Sequence, residues 1–149
     1  MDTDSIIQII AIIILLVMSA FFSSAETAYM TVNKIKIRSL VGKGNKRAAI
    51  VDKIINNSSK MLSTILIGNN IVNLSASTIL TTLVIHLFGN YATGIATGIM
   101  TILVLIFGEI SPKNAATVHA DKIALAYAPV INLLMYLFTP IIFIVDKLS

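Results

Sequence analysis

Three long apolar stretches, each broken by a small polar set, organise the chain. Ile6 to Met18 is almost continuously apolar, passes through Ser19-Ala20-Phe21-Phe22-Ser23-Ser24-Ala25-Glu26-Thr27, and turns apolar again to about Val32. Residues 61–88 form a second stretch, with Asn69, Asn70 and Asn73 in its middle, and residues 92–110 a third. A membrane-crossing helix needs about 20 predominantly apolar residues, so each is long enough to span. Between the first two, residues 33–60 alternate charges with Ile35, Ile37, Leu40 and Val41, then with Ala48, Ile50, Val51, Ile54 and Ile55, around the break Gly42-Lys43-Gly44-Asn45. That pattern predicts two short amphipathic helices lying at the membrane surface. Residues 111–149 hold a last apolar run from Ile123 to Val145 that contains Pro129 and Pro140. The prolines predict a broken helix that enters the interface and returns; a fourth span is the alternative, and periodicity does not separate the two. The expectation is an all-α membrane protein of one domain, 1–149: three transmembrane helices (1–32, 61–88 and 92–110), amphipathic juxtamembrane helices, and a Pro-broken C-terminal apolar helix.

Composition supports the membrane reading. The chain is 56% hydrophobic and 12% charged, with a mean hydropathy of +0.91, more apolar surface than a soluble domain of 149 residues buries. Cysteine is absent, which excludes disulfides, thiolate metal sites and cysteine catalysis. The net charge of +4 is concentrated in residues 33–60, where Lys34, Lys36, Arg38, Lys43, Lys46, Arg47, Lys53 and Lys60 lie. By the positive-inside rule that loop is cytoplasmic and the N-terminus outside. The basic residues lack aromatic interleaving, so anionic lipid headgroups suit them better than nucleic acid. Asp2 and Asp4 with no basic residue before the first apolar run mark a retained span rather than a signal peptide.

The polar interruptions are the candidate chemistry. Ser19, Ser23 and Glu26 are spaced i, i+4, i+7, so their oxygens share one helical face, and an intramembrane carboxylate is costly enough to demand protein or water beside it. Three amides within five residues, Asn69, Asn70 and Asn73, exceed what one helix contact needs, although interhelical hydrogen bonding is the ordinary use of a single one. Gly94 and Gly98 form a GxxxG pattern suited to helix packing or a second subunit. At the end of the third stretch Pro112 lacks an amide hydrogen and withholds a donor from the Gly108 carbonyl, next to Glu109. Glu109 with Lys113, at i, i+4, is also an ordinary ion-pair spacing. His86 and His119 are isolated, with no partner at metal-ligand spacing. A set of hydroxyl, amide, carbonyl and carboxylate oxygens suits a hard cation, magnesium with six ligands near 2.0–2.1 Å or calcium with more at longer range.

Ser19 to Ala28, Gly68-Asn69-Asn70-Ile71-Val72-Asn73 and Gly108-Glu109-Ile110-Ser111-Pro112-Lys113 resemble, in order, the three signature segments of the CorC/CNNM transmembrane domain. The resemblance covers the whole chain. It implies a homodimer with three spans per subunit, a belt of juxtamembrane helices, and Mg2+ export by alternating access coupled to Na+, in the plasma membrane. It implies as ligands of a dehydrated Mg2+ Ser19, Ser23, an asparagine of the cluster (Asn70 and Asn73 foremost), the Gly108 carbonyl and Glu109, with Glu26, Asn69 and Lys113 bordering the cavity. Family members continue into nucleotide-binding CBS domains, which lie outside this chain. Where they often have glycine after the second serine, this chain has Ser24, whose hydroxyl adds a bond or crowds a helix contact. No enzymatic activity is expected. The competing readings are a membrane anchor whose polar stripe only packs helices, and an uncoupled divalent-cation channel.

Overall fold

Runs of Ile, Leu, Val, Ala and Met with few helix breakers form helices wherever lipid leaves backbone groups no other partner. In a computed structural model, which describes residues 3–148, these runs become α1 (Thr3–Thr31), α4 (Ser58–Phe88) and α7 (Ala120–Leu137), with α5 (Thr93–Leu103) following a 3-10 turn at Asn90–Ala92. The shorter helices are α2 (Lys34–Gly42), α3 (Lys46–Asn56), α6 (Ser111–Val118) and α8 (Thr139–Leu148), and no strand occurs among the described residues. Met1, Asp2 and Ser149, at the ends of the expected first span and last region, lie outside them.

The amphipathic pair forms around the expected break. Asn33 caps α2 by accepting from the amides of Ile35 and Lys36, and Asn45 caps α3 by accepting from Ala48 at 3.0 Å. Gly44 between them takes φ +86°, a value few other residues adopt cheaply. Part of their apolar stripes packs within the protein, while Ile35 is exposed. Ile37 of α2 and Ala48, Val51 and Ile54 of α3 are fully buried, with α2 against α3 and α3 against α7.

The expected proline break in the last apolar run is present, and the third helix runs past its expected end. The third helix does not end at 110: it continues from α5 through a π-helical segment, Val104–Ile110, into α6, with Pro112 just past the junction. Pro129 lies inside α7 without ending it, and the last apolar run breaks at Phe138, just before Pro140 in the first turn of α8. Four stretches, Thr3–Thr31, Ser58–Phe88, Asn90–Val118 and Ala120–Leu137, are long and apolar enough to cross a membrane.

The chain divides into two compact units, Met1–Ser23 with Gly68–Pro112, and Ser24–Ile67 with Lys113–Ser149. In the second, the end of α1 is joined to α7 by a ladder of polar contacts. The Ser24 hydroxyl donates to Tyr127 at 3.2 Å, the Tyr29 hydroxyl to the Ala124 carbonyl at 2.8 Å, and the Asn33 amide to Asp121 at 3.0 Å. The paired numbers rise along one helix and fall along the other, as in an antiparallel pair. Ala120, Ala124, Ala128, Ile131 and Met135 make the buried face of α7, small residues that let the backbones approach. Tyr127 thus takes part in helix packing, and Ser24 makes the added bond.

Replacing Tyr29 with Phe removes one buried bond while keeping the ring, and leaves the Ala124 carbonyl without that donor. The expected cost is about 1 kcal/mol, seen as a lowered unfolding midpoint in detergent. An unchanged midpoint would show that the ladder does not contribute.

Candidate cation site

In the first unit, α1 and α4 meet at their polar interruptions. The ring of Phe22 lies directly on Gly68, where a Cβ would have no room, and Ser19 faces Asn69. Ser19 with Asn69 and Phe22 with Gly68 is the descending register of an antiparallel pair. Serine and asparagine are therefore brought level by the close approach that Gly68 permits.

A chain of hydrogen bonds crosses three helical segments at this level. The Ser19 hydroxyl donates to the Asn69 side-chain oxygen at 3.3 Å, and the Asn69 amide donates to Glu109 Oε1 at 3.4 Å. Ser19 is completely buried, whereas Asn69 and Glu109 are half-buried. Gly108 closes the arrangement: a Cβ built on it would stand 2.7 Å from Ser19 Oγ and 3.3 Å from Ser19 Cβ. Consecutive residues of one segment thus meet different neighbours, Gly108 against α1 and Glu109 against α4.

Both residues lie in the π-helical segment. The Ser111 amide reaches back five residues to the Ile106 carbonyl, closing a wider turn than an α-helix has. With that register an amide at 112 would reach Phe107, and with the α register Gly108. Pro112 withholds a donor from this stretch in either case. The sequence carries the withheld donor at Pro112 but does not announce the π-helix, for which the only signal was a glycine four residues before a proline.

Two oxygens lie beyond this level. Ser23 Oγ and Asn73 Oδ1 are buried with no hydrogen-bond partner. Each is four residues, about one 5.4 Å turn, from a member of the layer, Ser23 from Ser19 and Asn73 from Asn69. Because α1 and α4 run antiparallel, the two orphans stand on opposite sides of it, roughly 11 Å apart along the axis. A buried polar group left unpaired costs about 1–3 kcal/mol, so two along one line of a helix pair point to a ligand rather than to packing.

Of the expected ligands, Ser19, Gly108 and Glu109 come together; Asn69, expected at the border, is the amide that joins them. Ser23 and Asn73 flank the layer, while Asn70 is exposed on another face of α4. Glu26, half-buried, and Lys113 belong to the second unit. Gly94 and Gly98 have nothing within 4 Å of a Cβ built on them, so among the described residues nothing packs closely at these two glycines. The threonines of the apolar helices, Thr78, Thr81, Thr82, Thr97 and Thr101, donate to carbonyls four residues back and take no part in the layer. Among the described residues no three His, Cys, Asp or Glu side chains cluster. Any cation held here would be coordinated by neutral oxygens and the Glu109 carboxylate.

Apolar helices long enough to span, with a buried oxygen layer where three segments meet, define a multi-pass α-helical membrane domain with a candidate cation site. A family model described as the cyclin M (CNNM) transmembrane N-terminal domain matches residues 10–149, and the chain belongs to that family. Among curated relatives, a UPF0053 protein of Haemophilus influenzae is 39% identical over 92% of this chain and 33% of its own length. The UPF0053 inner membrane protein YfjD of Escherichia coli is 36% identical over 88% of this chain and 31% of its own. A more distant relative, named polyamine export protein, also from Haemophilus influenzae, is 27% identical over 95% of this chain and 36% of its own. The chain spans about a third of the length of each of these three relatives.

Two glycine substitutions test the packing of the site. Gly108→Ala sets a methyl group against Ser19 and Gly68→Ala sets one against the Phe22 ring. Each is expected to cost about 1–3 kcal/mol through overpacking. In a thermal melt both should unfold earlier than Gly94→Ala, which has open space. Equal melting of all three would contradict the close approach.

Proposed function

We propose that this domain carries a dehydrated Mg2+ ion across the membrane through the oxygen layer, by alternating access. The observation that carries the reading is the Ser19–Asn69–Glu109 chain beside Gly108, with unpaired oxygens one turn to each side. Hard divalent ions take oxygen ligands, and one carboxylate lowers the cost of holding +2 at membrane depth. Ser19, Asn69, the Gly108 carbonyl and Glu109 form the central station. Ser23 and Asn73 are the stations before and after it, and shifts of the helices bring them into the coordination sphere in turn. Asn70, Glu26 and Lys113 serve the approach rather than the central sphere.

Na+ is the coupling ion in this reading, the basic loop and C-terminus face the cytoplasm against anionic headgroups, and the domain works as a homodimer in the plasma membrane. The open Gly94–Gly98 face supports the dimer, and the family relation to an inner membrane protein supports the location. CBS domains of the parent protein are the proposed regulatory partners.

A second cargo is raised by the relative named as a polyamine exporter. A carboxylate with amide and hydroxyl oxygens also accepts hydrogen bonds from an ammonium group. The tight Gly108–Ser19 contact favours a compact ion over an alkyl chain.

Calorimetry with purified protein, and efflux from Mg2+-loaded cells carrying the parent protein, test the assignment. Glu109→Gln and Asn69→Ala are expected to weaken Mg2+ binding at least about tenfold, as loss of a charge-assisted contact worth about 1.5–3 kcal/mol implies. Ser23→Ala and Asn73→Ala should slow efflux more than they weaken binding. If all four fold and keep normal binding and efflux, the layer only packs helices and the anchor reading stands. Spermidine transport without Mg2+ transport would replace the cargo, and Mg2+ flow that never runs against a gradient would make the domain an uncoupled channel.

A further inference from the structure

Away from the cation site, the second unit holds a groove at the start of α4. A cavity of about 460 Å3 lies where α3, the start of α4 and α7 come together, lined by Lys53, Lys60, Asn132, Leu133 and Tyr136 among others. A second, of about 530 Å3, shares Lys60 and Tyr136 with it and continues past Leu137 towards Pro140. The two share a wall and form one groove. Lys53 and Lys60 line it, and neither lysine has a carboxylate partner among the described residues. No acidic side chain lines either cavity. Leu133 in the first cavity and Leu137 in the second, 55% and 56% exposed, give the groove an apolar wall beside Tyr136 at 77%.

Lys60 is the third residue of a helix long and apolar enough to cross the membrane, so it stands where apolar chain gives way to headgroups. Two unpaired cations at that depth, an amide and a phenol beside them, and an exposed apolar wall match a molecule with an anionic head and a hydrocarbon tail.

We propose that this groove binds one anionic phospholipid, its phosphate held between Lys53 and Lys60 and an acyl chain laid along Leu133 and Leu137. Asn132 and the Tyr136 hydroxyl supply further hydrogen bonds to the head. Charge complementarity selects the lipid, because a zwitterionic headgroup would set its own ammonium against the two lysines. The site rests on the membrane placement of α4 and α7 and not on the identity of the transported ion.

The test is a lipid titration of the detergent-solubilised protein followed by native mass spectrometry, with phosphatidylglycerol and phosphatidylcholine as probes. Lys53→Gln with Lys60→Gln is expected to weaken phosphatidylglycerol binding roughly 30-fold, about fivefold for each lysine. Lys43→Gln with Lys46→Gln, on the exposed turn between α2 and α3, should leave it unchanged, and Lys53→Arg with Lys60→Arg should keep it. Equal losses in the two glutamine pairs would reduce the effect to diffuse surface charge and overturn the proposal. So would phosphatidylcholine binding as tightly, or glycerol phosphate competing as well as the intact lipid, since either removes the need for a charged head joined to a tail. Calorimetric Mg2+ binding by the same variants separates this proposal from the transport reading: loss of lipid with normal Mg2+ binding supports the groove alone.

Discussion

A polar group inside an apolar helix must find a partner, because lipid offers none. That constraint shapes the first unit of this chain. Ser19, Asn69 and Glu109 stand on segments otherwise made of Ile, Leu, Val and Phe, and they satisfy one another in sequence: hydroxyl to amide oxygen, amide nitrogen to carboxylate. The bonds are long, at 3.3 and 3.4 Å, and they form because two glycines remove the side chains that would keep the helices apart. Gly68 admits the Phe22 ring and Gly108 admits Ser19. The packing of the apolar residues and the meeting of the polar ones are therefore one event.

The layer is incomplete as a structural device. A polar stripe whose whole purpose was helix packing would pair its oxygens, yet Ser23 Oγ and Asn73 Oδ1 are buried with none. Their placement a turn to either side makes a line of oxygens along the helices instead of a single cluster. In the transport reading proposed above, a cation would exchange one oxygen for the next along such a line. The π-helical turn at Val104–Ile110 belongs to the same arrangement, because it carries both Gly108, set against Ser19, and Glu109, bonded to Asn69.

The second unit is held differently. Its polar contacts are paired, and they join helix to helix at regular intervals through Ser24, Tyr29 and Asn33 on one side and Tyr127, Ala124 and Asp121 on the other. Ala120, Ala124 and Ala128 are buried along the same stretch of α7. The Lys36–Asp121 pair at 3.4 Å is largely solvent-exposed and adds little, and the Asn33 amide bond to the same carboxylate fixes the chain as it leaves α1.

Local pattern determined much of this protein by itself. The apolar run lengths made it an α-helical membrane protein, the caps Asn33 and Asn45 with Gly44 between them placed the break between α2 and α3, and the three polar segments carried the family likeness. Those features depend on a few neighbouring residues and on the solvent, so they can be read one segment at a time. Which asparagine enters the layer could not be read that way. Asn69 and Asn70 differ by one residue, and only the rotation of α4 against α1, set by Phe22 on Gly68, turns one inward and leaves the other exposed. The π-helical turn, the continuation of α7 through Pro129, and the burial of the α3 stripe against α7 were likewise decided by tertiary structure. In each case the deciding quantity is the fit between residues distant in sequence, and helical periodicity carries no information about that fit.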